Sequence, residues 1–98
     1  MLRSQAPARQ LGYTQHLAAA VDAGVNLAPP AGAVYGIVIP EAQACRWRDD
    51  ATNPSATVGM PLAVGAVLVL EGQVLSQYRF ISQVAGCILN VTYYGLPL

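Results

Sequence analysis

Residues 34–39 read V-Y-G-I-V-I, and this run is the clearest β-strand in the chain. Its β-branched and aromatic side chains favour a strand, and Pro40 discourages continuation because proline lacks a backbone N–H. Turn-forming Gly, Pro, Asn and Asp residues recur at short intervals on both sides of the run. Short strands separated by such turns are typical of a small sandwich or barrel. The sequence therefore predicts an all-β fold.

Four further segments have the composition of strands: residues 43–48, 67–70, 77–81 and 88–94. Strict alternation turns Cys45 and Trp47 toward the core and makes one face of the last strand half polar. Because only a short link separates the segments 67–70 and 77–81, we expect them to be antiparallel neighbours. The predicted fold class is a small antiparallel β-sandwich or jelly-roll-like barrel.

The N-terminal third is harder to interpret. Between residues 14 and 24, Thr14 could cap a helix that ends at Gly24, but the spacing of the apolar residues that follow suits a strand equally well. We favour the strand. Residues 1–9 are predicted to be an extended N-terminal arm that orders on contact with a neighbour, and residues 10–98 a single domain.

Composition points to association with other protein chains. The 98 residues allow one domain, yet 54% of them are hydrophobic and 10% charged, against roughly 25% charged in typical soluble proteins. Such a surplus leaves apolar side chains at the surface, where large patches mark interfaces. The chain has no lysine, and five arginines balance five acids, so nucleic acid is not an expected partner. Neither a signal peptide nor a membrane span is expected, since no apolar run is long enough.

The sequence offers little from which to build a catalytic site. Its single histidine, His16, could pair with a cysteine nucleophile, but no third residue to orient the pair is evident. Without an export signal, Cys45 and Cys87 are expected to be reduced and buried rather than joined by a disulfide. The acidic pair Asp49 and Asp50 lacks the ligand spacing of a calcium loop. We expect no enzyme, no metal and no cofactor.

Polar and aromatic side chains that alternation turns outward are candidates for contacts with another subunit. Arginine suits such contacts because its guanidinium can form a bidentate pair with a carboxylate of the neighbouring subunit. The candidate subunit-interface residues are Arg46, Arg48, Asp49, Asp50, Arg79 and Tyr94. An alternative function is a carbohydrate-binding module of a receptor-binding apparatus, in which Trp47, Tyr93 and Tyr94 would stack on sugar rings.

Residues 45–62, C-R-W-R-D-D-A-T-N-P-S-A-T-V-G-M-P-L, resemble a segment of small virion structural proteins of tailed bacteriophages. In those proteins an arginine-bearing strand and an Asp-Asp turn lead through a Pro, Ser/Thr and Gly loop to another strand. The resemblance extends to residues 30–33, 77–81 and 89–94. Ala51 departs from it, because such proteins often carry glycine there, and this leaves the type of turn open.

The resemblance implies a β-sandwich subunit of a phage particle that is assembled in the host cytoplasm and located in the virion. The role it implies is that of a capsid decoration or cement protein, with a neck or tail accessory as the alternative. Its partners would be other copies of itself, as a homo-oligomer, and a larger capsid or tail protein. The resemblance brings no active-site residues with it.

Overall fold

The chain forms two four-stranded antiparallel sheets, so the predicted β-sandwich is confirmed. The computed structural model describes residues 9–71 and 75–96. The first sheet has the order β1-β8-β3-β6 and the second β2-β7-β4-β5. In chain order, the elements are β1 (Arg9–His16), α1 (Ala18–Ala23), β2 (Val25–Asn26), β3 (Ala33–Glu41), β4 (Cys45–Arg48), β5 (Met60–Leu62), β6 (Leu68–Leu70), a 3-10 turn (Leu75–Gln77), β7 (Arg79–Ser82) and β8 (Ile88–Gly95).

The core lies between the sheets and follows the period of two that strands impose. In β8, Leu89, Val91 and Tyr93 are buried while the residues between them are half-exposed, as the alternation predicts. Phe80 is fully buried on the inner face of the second sheet. Trp47 packs at the margin of this core, half-buried, with its ring centroid 5.8 Å from that of Tyr78. The inward direction predicted for Trp47 is therefore confirmed.

The predicted preference for a strand over residues 14–24 is only half right. β1 continues to His16, but the alanines that follow form α1, which ends at Gly24 with its φ at 104°. This positive φ is open to glycine at little steric cost. Of the predicted arm, Arg9 is the first residue of β1, and residues 1–8 lie outside the described residues.

Strand β3 runs on through Pro40 to Glu41, beyond the end that the sequence predicts. A proline is tolerated at position 40 because no strand pairs there with the side of β3 that its nitrogen faces. Its carbonyl accepts a hydrogen bond from the Gly65 N–H (2.9 Å), so its nitrogen faces the same side of the strand. The ladder with β6 has ended by then, at Val38. The missing N–H of Pro40 therefore costs no hydrogen bond between strands.

The prediction that residues 67–70 and 77–81 pair as neighbours is wrong. β6 pairs with β3 in the first sheet, and β7 pairs with β4 and β2 in the second. The link between β6 and β7 carries the 3-10 turn, whose Leu75 is buried in the core. Because β6 and β7 belong to different sheets, this link crosses between the sheets, whereas a hairpin would have kept both strands in one sheet.

Helix α1 connects β1 to β2, which are edge strands of the two different sheets. Val21 buries its side chain fully in the core. The carboxylate of Asp22 accepts hydrogen bonds from the Ser82 hydroxyl (2.6 Å) and the Gly86 N–H (2.9 Å). These bonds lower the pKa of Asp22, the Ser82 bond most strongly. One carboxylate thereby ties the helix to the β7–β8 turn.

Candidate assembly surface

Five of the six residues predicted for a subunit interface lie on or beside the outer face of the second sheet. In β4, Cys45 is buried, so the neighbouring Arg46 and Arg48 project from the opposite face. Arg48 is paired in register with Arg79 of β7. Asp49 and Asp50 follow β4 directly and are exposed. The structure therefore brings the predicted charged residues together.

The arginines of this face are engaged within their own chain. Arg46 donates to the carbonyls of Ala56 (3.0 Å) and Gly59 (2.8 Å), which holds the loop between β4 and β5 against the sheet. Arg48 forms a two-point ion pair with Asp50, which lowers the pKa of that carboxyl through the side-chain hydrogen bonds. These contacts give the arginines a role in fixing the loop. A partner would have to compete with them.

The loop that Arg46 holds contains a strained turn. Ala51 has a φ of 63°, in the left-handed region that costs side chains with a Cβ about 1–2 kcal/mol. Asp50 supports the turn, because its carboxylate also accepts a hydrogen bond from the Thr52 N–H (3.3 Å).

Tyr94, the sixth predicted residue, lies on the other sheet. It projects from the outer face of β8 and stacks on Tyr35 of β3, with ring centroids 5.0 Å apart and an interplanar angle of 17°. Tyr93 points the other way and is 3% exposed. Trp47 packs in the second sheet. The three aromatic residues considered for sugar stacking therefore form no common platform.

A surface that the sequence reasoning missed lies along the edge strands β5 and β6. These strands occupy the outer positions of the two sheets and are joined by only five residues. Half of the large exposed apolar side chains of the described residues fall in this stretch. We call this set the apolar edge; it comprises Val58, Met60, Val64, Val67 and Val69, each between 48% and 59% exposed.

The apolar edge belongs to the longest uncharged stretch of the chain. Residues 51–70 contain no Asp, Glu, Lys or Arg, although 10% of the whole chain is charged. This absence was the available signal in the sequence. A groove of about 350 Å³ lies beside the edge, and its lining includes Val58, Met60 and the Arg48–Asp50 pair.

The buried cysteines are poor nucleophiles. Cys45 and Cys87 are fully buried free thiols, as the sequence predicts for reduced cysteines. Burial raises the pKa of Cys45 to about 12 and also raises that of Cys87. Both thiols are therefore protonated near neutral pH, whereas nucleophilic attack requires the thiolate.

The other polar candidate of the sequence analysis is His16. His16 is half-buried, burial lowers its pKa, and its Nε2 has no hydrogen-bond partner among the described residues. Within residues 9–71 and 75–96, no three His, Cys, Asp or Glu side chains are grouped as a metal site would require. A second cavity, of about 250 Å³ beside Phe80, is smaller than typical ligand pockets.

None of the protein families, curated proteins and solved structures compared with this chain matches it significantly. In the described part of the chain, no helix has the length and apolar character needed to cross a membrane.

Proposed function

We propose that this chain is a structural subunit that assembles with other protein chains through the apolar edge. The resemblance of residues 45–62 to virion proteins of tailed phages favours a place in a phage particle. There the chain would act as a capsid decoration or cement protein that oligomerises and contacts a larger shell protein. A neck or tail accessory would use the same edge.

The proposal rests on one observation: the exposed apolar side chains of the apolar edge lie in a stretch of the chain, residues 51–70, that has no charged residue. Fully burying a large apolar side chain is worth about 1.5–3 kcal/mol. The five half-exposed residues of the apolar edge would thus contribute roughly 4–7 kcal/mol per chain. Two such surfaces facing each other supply a gain comparable with the cost of association, about 4–15 kcal/mol. A net free energy of this size supports reversible association.

The groove beside the edge adds a place where a partner could insert a side chain. Its lining is partly apolar, from Val58 and Met60, and partly charged, from the Arg48–Asp50 ion pair. An apolar partner side chain bordered by a polar group would match this lining. Interfaces with a well-packed apolar centre and a polar rim have this organisation.

Sedimentation velocity over a wide concentration range tests the proposed assembly. We expect the wild-type chain to associate as its concentration rises, and Met60→Lys to weaken association because it places a charge in the apolar edge. Val84→Lys is the matched control, since Val84 is exposed to a similar extent (53%) in the β7–β8 turn. A wild-type chain that stays monomeric throughout would contradict the proposal.

The place in a particle needs a separate measurement. Antibodies against the purified chain should detect it in gradient-purified virions from the phage that encodes it, and quantitative mass spectrometry should give its copy number. Hundreds of copies support shell decoration, and a dozen or fewer support the neck or tail. Absence of the chain from purified virions would refute the phage assignment while leaving the assembly proposal to the sedimentation test.

A further inference from the structure

We infer that two copies of this chain join through antiparallel pairing of their β6 strands around a two-fold axis, with Val69 of one copy opposite Val69 of the other. The inference rests on the proposed function and assigns the partner and geometry of one part of the apolar edge. It would merge the two first sheets into one eight-stranded sheet.

Comparison of the four edge strands singles out β6. Strand edges expose unpaired backbone groups, and proteins protect them with charges, prolines, bulges or short length. β1 carries Arg9 and a bulge between Gln10 and Gly12, β2 has only two residues, and β5 contains Pro61. β6 has three residues, all apolar, and none of these other protections.

The surroundings of β6 favour a second copy over a different partner. None of the residues 51–70, which contain the whole apolar edge, carries a charge that could select an oppositely charged partner, and the first charge after β6 is Glu71. A two-fold axis places the same uncharged surface on both sides, and a self-complementary patch of this kind is what two-fold dimers use. A second copy of the chain therefore presents an uncharged apolar surface that matches the one around β6.

The register centres the axis on Val69, the middle residue of β6. Val69 is 48% exposed and lies opposite Ile37 of β3 on the outer face of the first sheet. Pairing at Val69 would extend this apolar row across the axis, from Ile37 and Val69 of one copy to the same residues of the other. Cross-strand apolar pairs of this type stabilise sheets.

Three paired residues bury too little surface for a stable dimer, so the rest of the apolar edge has to contribute. A standard interface buries about 800 Å² per partner, which is roughly 15% of the 5212 Å² exposed by this chain. Val67 adjoins β6, and Val64 lies in the link to β5. These two residues, and Met60 in β5, are the other exposed apolar residues of the edge in and after β5.

A charge-swap experiment at Val69 tests the pairing. Val69→Lys and Val69→Glu would each place like charges opposite one another, and we expect each variant to associate about tenfold or more weakly than the wild type. An equimolar mixture should recover association, because Lys then faces Glu. Val84→Lys should associate like the wild type. Circular dichroism of each variant checks that the fold is retained, which the exposure of Val69 favours.

The outcomes separate this inference from the proposed function. If Val69→Lys associates like the wild type while Met60→Lys does not, the assembly stands and the β6 pairing is refuted. Loss of association in both Val69 variants without recovery in their mixture would refute the two-fold register. A monomeric wild type would overturn both proposals.

Discussion

Substitution of Gly36 by alanine should destabilise the protein through a backbone clash at the centre of the first sheet. An ideal Cβ at position 36 would lie 2.8 Å from the backbone carbonyl oxygen of Thr92 in the adjacent strand β8. Real Cβ atoms essentially never approach so closely, and backbone in a paired strand cannot turn aside as a side chain can. Over-packing of this kind costs about 1–3 kcal/mol.

The expected cost translates into a measurable change in thermal stability. For a domain of 60–100 residues, each kcal/mol lowers Tm by roughly 4–8 °C, so Gly36→Ala should lower it by about 4–24 °C. Differential scanning calorimetry measures this directly.

Gly12→Ala is the matched control. Gly12 also lies in a strand of the first sheet, yet its Cβ would meet only the Pro30 ring at an ordinary 3.8 Å. We expect little change or a small gain in stability, since alanine restricts the unfolded chain. Unfolding of Gly36→Ala at or above the wild-type temperature would refute the close approach of β3 and β8.

Three further predictions concern the turn, the helix tie and the thiols. Ala51→Gly should raise the free energy of unfolding in urea by about 0.5–1 kcal/mol, because glycine relieves the left-handed strain; a loss of stability would contradict the turn. The pKa of Asp22 is lower in the folded than in the unfolded chain, so its stabilisation is present near neutral pH and disappears as the pH falls through the folded value. Asp22→Ala should therefore be less stable than wild type in urea at neutral pH, and the difference should shrink in strong acid; a difference independent of pH would count against the tie. Cys45 and Cys87 should react with iodoacetamide at neutral pH only after unfolding, as followed by mass spectrometry, and rapid labelling of the folded chain would contradict their burial.

The composition and alternation of side chains were sufficient to predict β3, β4, β6, β7 and β8, but not β2 and β5 and not how the strands pair. Leu89, Val91 and Tyr93 repeat at intervals of two, and this pattern depends only on the local chain, so β8 was predicted correctly. The pairing of β6 depends on where the following link travels. Nothing local indicates that Leu75 anchors this link in the core and carries the chain to the other sheet.

The candidate assembly surface could be predicted only where it depends on local alternation of side chains. Outward projection of Arg46 and Arg48 follows from the period of the strand, but their hydrogen bonds to the loop and to Asp50 depend on the path of residues 49–59. The apolar edge could not be located without the sheet order, since nothing local shows that β5 and β6 are outer strands of the two sheets. The uncharged run over residues 51–70 is the one local signal of it.

Hydrogen–deuterium exchange at low and high protein concentration tests the central claim, assembly through the apolar edge, most directly. We expect backbone amides in residues 58–70 to exchange more slowly as the chain associates, with the largest change in β6. Amides in β8, which is paired on both sides within the chain, should exchange at the same rate at both concentrations. Association accompanied by protection elsewhere, with residues 58–70 unchanged, would contradict the account.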